Sequence, residues 1–215
     1  MRKYIKFFSA VMAIVMSMAL MSACSKKPAV TPDQYLTFYM DLAVKNTEGD
    51  AAKLGISSDE VKKFKDQMES QYSKVVENDT SGVDKESLNK MVTSIRKGMS
   101  QIKYDIKTVE SDSKSAKVEM SINPMVIEQN DFSPDKLISQ DEIMQLASQY
   151  TDQATLEKKA TEIIIDKLCK YFENPKISDE TKKVTIELKV EKGEWKEVNE
   201  GTLENFIKNN LIIYK

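Results

Sequence analysis

The feature that most constrains the fold is a change in hydrophobic period at Ile102. Before it, apolar residues recur every three or four positions, as on an amphipathic helix. From Ile102 the period drops to two: Ile102, Tyr104 and Ile106 alternate with Lys103, Asp105 and Lys107. The turn Ser111-Asp112-Ser113-Lys114 follows, and then Val118, Met120 and Ile122 alternate with Lys117, Glu119 and Ser121. Alternation on both sides of a turn describes an antiparallel hairpin with one face in a core and one in water. The pattern returns at Val184, Ile186, Leu188 and Val190, with Gly193 placed for a left-handed turn position and Trp195–Val198 as the returning strand.

Helical stretches surround these hairpins. Thr31-Pro32-Asp33-Gln34 has the capping-box form, with proline suited to the first turn, and opens a helix bearing Tyr35, Leu36, Phe38, Tyr39, Leu42 and Ala43. Ser57-Ser58-Asp59-Glu60 opens a second, with Val61, Phe64, Met68, Tyr72 and Val75 on one stripe. A third, from about Asp84 to Met99, carries Leu88, Met91, Val92 and Ile95. Ser139-Gln140-Asp141-Glu142 is another capping box, opening a helical region to about Phe172. Its first stripe is Ile143, Leu146, Ala147 and Tyr150, and its second is Ala160, Ile163, Ile164, Leu168 and Tyr171. The phase slips between Thr151 and Thr155, which predicts a kink or two abutting helices. Residues 128–138 read as a loop, and Asn174-Pro175 stops the helix. Thr202 can cap a last helix with Leu203, Phe206, Ile207 and Leu211. The order ααα-ββ-α-ββ-α lacks a β-α-β rhythm with glycine-rich turns, so the expected class is α+β. One antiparallel sheet of about four strands, built from the two hairpins and packed on several helices, is favoured over two small units.

The N-terminus has the zones of a secretory signal. Arg2, Lys3 and Lys6 precede a charge-free run from Phe7 to Met21, which is shorter than the ~18–20 residues that cross a bilayer as a helix. The run closes on Met21-Ser22-Ala23-Cys24, followed by the polar Ser25-Lys26-Lys27-Pro28. This tetrapeptide resembles the lipobox of bacterial lipoproteins, with Met21 where leucine is usual. The resemblance implies a signal peptide at residues 1–23, a diacylglyceryl group on the Cys24 sulfur, a lipidated tether at 24–30 and one α+β domain at 31–215. It also implies a location on the outer face of the cell membrane, and two acyl chains suffice for stable anchoring where one would be marginal. With Cys24 capped, Cys169 has no intramolecular partner, and its place on an apolar helical stripe marks it as a buried thiol.

Composition narrows the chemistry. Loss of Arg2, Lys3 and Lys6 leaves 29 basic against 34 acidic residues, a formal net charge of −5 with no electrostatic footprint for nucleic acid. The chain has no histidine, which removes Ser-His-Asp and Cys-His nucleophiles and the common zinc sites. Six glycines form neither a dinucleotide fingerprint nor a phosphate loop. Ser-x-x-Lys recurs along the chain without the partner motifs that would make it catalytic. The oxygen-rich stretch Asn78–Glu86 lacks calcium-loop spacing. Asp141 and Glu142 serve a helix N-terminus, and Glu157 and Glu162 lie on a charged face. No catalytic residue, cofactor or metal site is expected.

The opening helix at Thr31–Ala43, the helix entry Leu54-Gly55-Ile56-Ser57, the Ile102–Ile106/Ala116–Ile122 hairpin and Val184–Val190 with Gly193-Glu194-Trp195 together resemble a group of lipoproteins of low-GC Gram-positive bacteria. In that group a lipobox precedes a domain similar to nuclear-transport-factor-2-like or cystatin-like folds. The resemblance implies a curved sheet cupping a helix and assigns no activity. The expected role is a non-enzymatic binding module of undefined specificity, for another protein or a cell-envelope component. The alternative is a carrier or sensor of an apolar ligand in a cavity lined by Tyr104, Met120, Tyr150 and Trp195, whose rings and thioether suit such a surface.

Overall fold

The computed structural model describes residues 28–47 and 83–215 continuously and, between them, residues 49, 51, 52, 54, 58, 59, 61, 62 and 66. Helix α1 (Pro32–Met40) starts as the sequence predicts, with the Thr31 N–H donating to Gln34 Oε1 at 3.0 Å. It runs without a break into a π-helical turn, Asp41–Lys45, which Asn46 closes in the left-handed conformation (φ 53°). Of the expected second helix, Ser58, Asp59, Val61, Lys62 and Asp66 are helical and Val61 is buried. Phe64, Met68, Tyr72 and Val75 of its stripe lie outside the described residues, as do Cys24 and Asn78–Gly82. Helix α2 (Lys85–Met99) is capped by Asp84, whose Oδ1 accepts from Ser87 N at 2.9 Å.

The two hairpins form one four-stranded antiparallel sheet. Strands β1 (Lys103–Ser111) and β2 (Ser115–Asn123) pair first, β2 pairs in turn with β5 (Lys182–Glu191), and β5 with β6 (Glu194–Glu197). Register places Tyr104 opposite Ile122, Ile106 opposite Met120, Met120 opposite Val184 and Val190 opposite Trp195. Paired residues share a face, so Tyr104, Ile106, Val118, Met120, Ile122, Val184, Ile186, Leu188 and Trp195 all lie on one side. That side is the core: Val118, Met120, Ile122 and Ile186 are completely buried. The turn between β5 and β6 holds Lys192 and Gly193 both at positive φ (53° and 86°), the hairpin geometry that matches strand twist. The outer strand β1 is interrupted between Thr108 and Glu110, where Val109 is the extra, exposed residue. Such a bulge blunts a sheet edge.

Helix α1 lies against β1 and β2 on the core face. Two polar pairs fix its direction: Thr108 Oγ1 donates to Asp33 Oδ1 at 3.0 Å, and the Tyr104 hydroxyl donates to Asp41 Oδ1. Asp33 and Asp41 are about 12 Å apart along a helix, and Thr108 and Tyr104 about 13 Å apart along a strand. The two spacings match, so helix and strand run antiparallel with both ends tied.

A second, three-stranded sheet lies outside what the sequence periodicity predicts. β3 (Met125–Ile127) follows β2 after Pro124 and pairs antiparallel with β4 (Lys176–Ile177) and parallel with β7 (Ile212–Tyr214). All three β3 residues are buried, so no alternation marks them. The expected loop 128–138 contains a 3-10 turn (Gln129–Phe132) and the one-turn helix α3 (Pro134–Leu137). The expected break at Thr151–Thr155 is real and separates α4 (Gln140–Gln149) from α5 (Gln153–Glu173). Helix α6 (Thr202–Asn210) begins one residue after Gly201, which holds the N-cap position at φ 81°. Leu211, expected on its stripe, is instead its buried C-cap and leads into β7.

Candidate functional site: the α4–α5 arm

Helices α4 and α5 form an arm whose root and tip differ in burial. At the root, α5 packs on α2 with the chains parallel. Gly98 of α2 approaches the α5 backbone so closely that a Cβ there would lie 2.0 Å from the Phe172 carbonyl oxygen. Ser94 Oγ donates to Glu173 Oε1 (3.0 Å), Lys97 pairs with Glu173 (2.9 Å) and Lys90 with Asp166 (2.5 Å). Ile165, Leu168, Cys169 and Phe172 are buried here. Phe132 and Tyr171 meet edge to face at 5.0 Å, and the Tyr171 hydroxyl accepts the Glu128 N–H at 3.1 Å. Burial pushes the Cys169 thiol up from its ordinary pKa, which makes it an inert packing group.

Toward the tip the packing stops. From Gln140 to Ile164 the sole buried residue is Leu146. Ile143 is 42% and Met144 62% exposed, Ala147 is exposed, and Tyr150, Ala160, Ile163 and Ile164 are half-buried. The sequence leads one to expect Ile143, Ala147 and Tyr150 in the core. Ile143 and Ala147 are instead exposed and Tyr150 half-buried; among the described residues α4 makes its main contacts with α5. The arm is nonetheless well made. Ser139 N donates to Glu142 Oε2 (2.8 Å) and Ser139 Oγ accepts from Glu142 N (3.2 Å), completing the capping box. The same carboxylate meets Lys167 Nζ at 2.7 Å, which ties α4 to α5. Lys167 foremost, with the Ser139 bonds, holds the Glu142 carboxyl down at about 2. Asp152 caps α5 by accepting from Thr155 N and Oγ1 at 2.8 and 2.7 Å. The pair thus combines regular caps and a cross-tie with two apolar side chains, Ile143 and Met144, open to water.

The residues proposed from sequence as a cavity lining do not all meet. Tyr104, Met120 and Trp195 share the core face of the large sheet, whereas Tyr150 caps the C-terminus of α4 on the arm. Tyr104 is half-buried, its hydroxyl given to Asp41, with Lys45 Nζ 4.8 Å above its ring and 2.7 Å from Asp41 Oδ1. Burial, then Asp41, raises its pKa. Met120 has no exposure, and the Trp195 indole N–H donates to the Val30 carbonyl at 2.9 Å. On α1, the rings of Tyr35 and Tyr39 stand edge to face at 5.0 Å, both pushed up by burial. Glu197 accepts Thr202 N (2.7 Å) and Leu203 N (3.2 Å), capping α6, and burial raises its pKa. The alternation of the strands is enough to put Tyr104, Met120 and Trp195 together. The contact between Val30 and Trp195 has no local signal in the sequence, and periodicity does not find it.

Asp141 and Glu142 stand at the α4 N-terminus, Glu157 accepts from Gln153 Nε2 at 2.8 Å, and Glu162 pairs with Lys159 at 2.7 Å. Among the described residues no cluster of three or more Cys, Asp or Glu side chains could hold a metal ion, and no helix is long and apolar enough to cross a membrane. No curated protein matches the chain. A crystal structure of a Bacillus subtilis subsp. subtilis str. 168 protein designated a lipoprotein (ycdA) is similar at 16% identity with a TM-score of 0.39, over 97% of this chain and 55% of that one. The chain therefore spans about half the length of that protein. The family described as Domain of unknown function (DUF5105) matches residues 21–208, from the first residue of the Met21–Cys24 tetrapeptide into α6. By that match over most of its length, the chain belongs to the DUF5105 family.

Proposed function

We propose that the protein is a lipoprotein anchored through a diacylglyceryl group on Cys24 to the outer face of the cell membrane, where its α4–α5 arm docks a cell-envelope protein without catalysis. The observation that carries the docking role is the open apolar face of a capped and cross-tied helical pair, Ile143 and Met144 foremost. Methionine at an exposed helix face adapts to a partner's contours, and buried apolar anchors dominate binding energy in such contacts. A protein is favoured over a small apolar ligand because Met120 and Trp195 are packed within the core, whereas Ile143 and Met144 stand in solvent. The family match supports the anchor by including the tetrapeptide. Helix α1 across the core face of a four-stranded antiparallel sheet supports the likeness to nuclear-transport-factor-2-like or cystatin-like domains.

The test uses the full-length, membrane-held protein with a photo-crosslinking amino acid at the exposed position Gln145. One adduct of defined mass is expected in native membranes, and its loss in the Ile143→Glu/Met144→Glu variant with an unchanged melting temperature. No adduct, or an adduct indifferent to those substitutions, refutes the docking role. The anchor is tested by intact mass: a diacylglyceryl adduct present in the native protein and absent in Cys24→Ser.

A further inference from the structure

The chain enters the fold at one end of the large sheet. The Trp195 indole N–H donates to the Val30 carbonyl at 2.9 Å, with Val30 8% and Trp195 6% exposed, so the chain is held in the core six residues after Cys24. Trp195 lies just past the Lys192-Gly193 turn, and Val190 N donates to Lys114 O of the other hairpin turn at 2.7 Å. Asp33, at the start of α1, is tied to Thr108 beside the same turn. Both hairpin turns, the N-terminus of α1 and the entering chain thus occupy one end. The opposite end carries the starts of β1 and β5, Pro124, Ser178 and the root of the α4–α5 arm. There Ser178 N donates to Pro124 O (2.8 Å) and Gln101 Nε2 to the Glu173 carbonyl (2.7 Å).

Cys24 and Val30 are at most about 20 Å apart even with the chain fully extended, whereas strands of this length separate the two ends by about 30 Å. Accepting the anchor at Cys24, on which this inference rests, we propose that the hairpin-turn end of the sheet is the membrane-facing surface of the domain and meets anionic lipid headgroups. The root of the α4–α5 pair then lies at the outward end. The charges at the turn end suit that surface. Lys114 and Lys192 are exposed and form no ion pair among the described residues. Glu110 is paired with Lys117 (3.0 Å) and Glu191 with Lys189 (2.7 Å), while Asp112 keeps its charge, accepting the N–H groups of Lys114 and Ser115 (2.6 and 2.7 Å). Lys26 and Lys27, two and three residues from Cys24, lie within reach of the same headgroups, where each lysine adds about 1 kcal/mol of attraction. Val109 places an exposed apolar side chain beside this turn.

The experiment places the lipidated full-length protein in vesicles of phosphatidylcholine and phosphatidylglycerol containing a headgroup nitroxide lipid. A fluorophore is attached at Ser113→Cys, in the hairpin turn, or at Asp179→Cys, at the opposite end; both positions are exposed, and Cys169 at 3% exposure is left in place. Quenching at position 113 is expected to exceed that at 179 at least two-fold. A flexible 20-residue glycine-serine insert between Lys27 and Pro28 is expected to shrink that ratio. Equal quenching, or stronger quenching at 179, in protein that carries the lipid and floats with the vesicles overturns the orientation alone. Protein that lacks the adduct and stays in solution overturns the anchor, and the orientation with it.

Discussion

At the scale of single residues, position 98 is decided by a backbone contact. Alanine is worth about 1 kcal/mol more than glycine inside a helix, and Gly98 has ordinary helical geometry, so local reasoning favours Gly98→Ala. The added Cβ would lie 2.0 Å from the Phe172 carbonyl oxygen, and neither backbone can yield without parting α2 from α5. Overpacking costs of roughly 1–3 kcal/mol, or more against backbone, outweigh the propensity gain. Chemical denaturation is expected to show Gly98→Ala less stable by about 2 kcal/mol. Glu197 poses the opposite problem, a cap placed where water is scarce. Its carboxyl accepts two N–H bonds from α6, yet burial wins and raises its pKa. The folded state therefore holds this proton more tightly than the unfolded one. Its contribution is complete below the ordinary carboxylate range and is lost as pH rises through the raised value. A glutamine side chain keeps the acceptor oxygen without the charge. Glu197→Gln is expected to leave the melting temperature unchanged at low pH and to raise it relative to the native protein by pH 8, as calorimetry across that range would show.

At the scale of elements, period and caps explain what was legible. Alternation along β1, β2 and β5 marked the hairpins, and the shared parity of Tyr104, Met120 and Trp195 followed from register. Thr31, Asp84 and Ser139 opened helices where their side chains predict. The small sheet was illegible for a physical reason. Met125-Val126-Ile127 is buried on both faces, too short to show a period, and its parallel partner Ile212–Tyr214 lies at the far end of the chain. The exposure of Ile143 and Ala147 was not legible, because amphipathicity shows that a face is apolar, and not whether anything covers it. One carboxylate, that of Glu142, links α4 to α5 through Lys167, and it can be titrated. Lys167 and Ser139 hold Glu142 at about 2, so its contribution is full above the ordinary carboxylate value and fades as pH falls from about 4.5 toward 2. Glu142→Gln is expected to lower helix content or thermal stability at pH 7. The gap from the native protein should close by about pH 2, measured by circular dichroism melts along the acid limb.

At the scale of the whole molecule, the large sheet and the α4–α5 arm differ in how firmly they are built, and the docking role is proposed for the looser of the two. The large sheet is bound into the core along the rows on β2 and β5, where Val118, Met120 and Ile186 are completely shut from water, and at its hairpin end through Val30 and Trp195. The arm contributes Leu146 alone to burial between Gln140 and Ile164. Local opening is cheap where few apolar contacts are lost, and binding surfaces are drawn from such regions. Hydrogen exchange under native conditions is therefore expected to resolve two classes of amide. Those of Val118, Met120 and Ile186 should exchange only with global unfolding. Those of Met144 to Ser148 should exchange through openings cheaper by several kcal/mol, and the protection of α5 should rise from Ala160 toward Phe172 as the helix enters the core. Equal protection along α5 and α4 would mean that the arm is part of the cooperative core, and the separation of a rigid sheet from an adaptable arm would fail. If the gradient is present, a partner that covers Ile143 and Met144 should raise protection in α4 and leave β2 unchanged. That pattern would place the binding free energy in the ordering of the arm rather than in any rearrangement of the sheet.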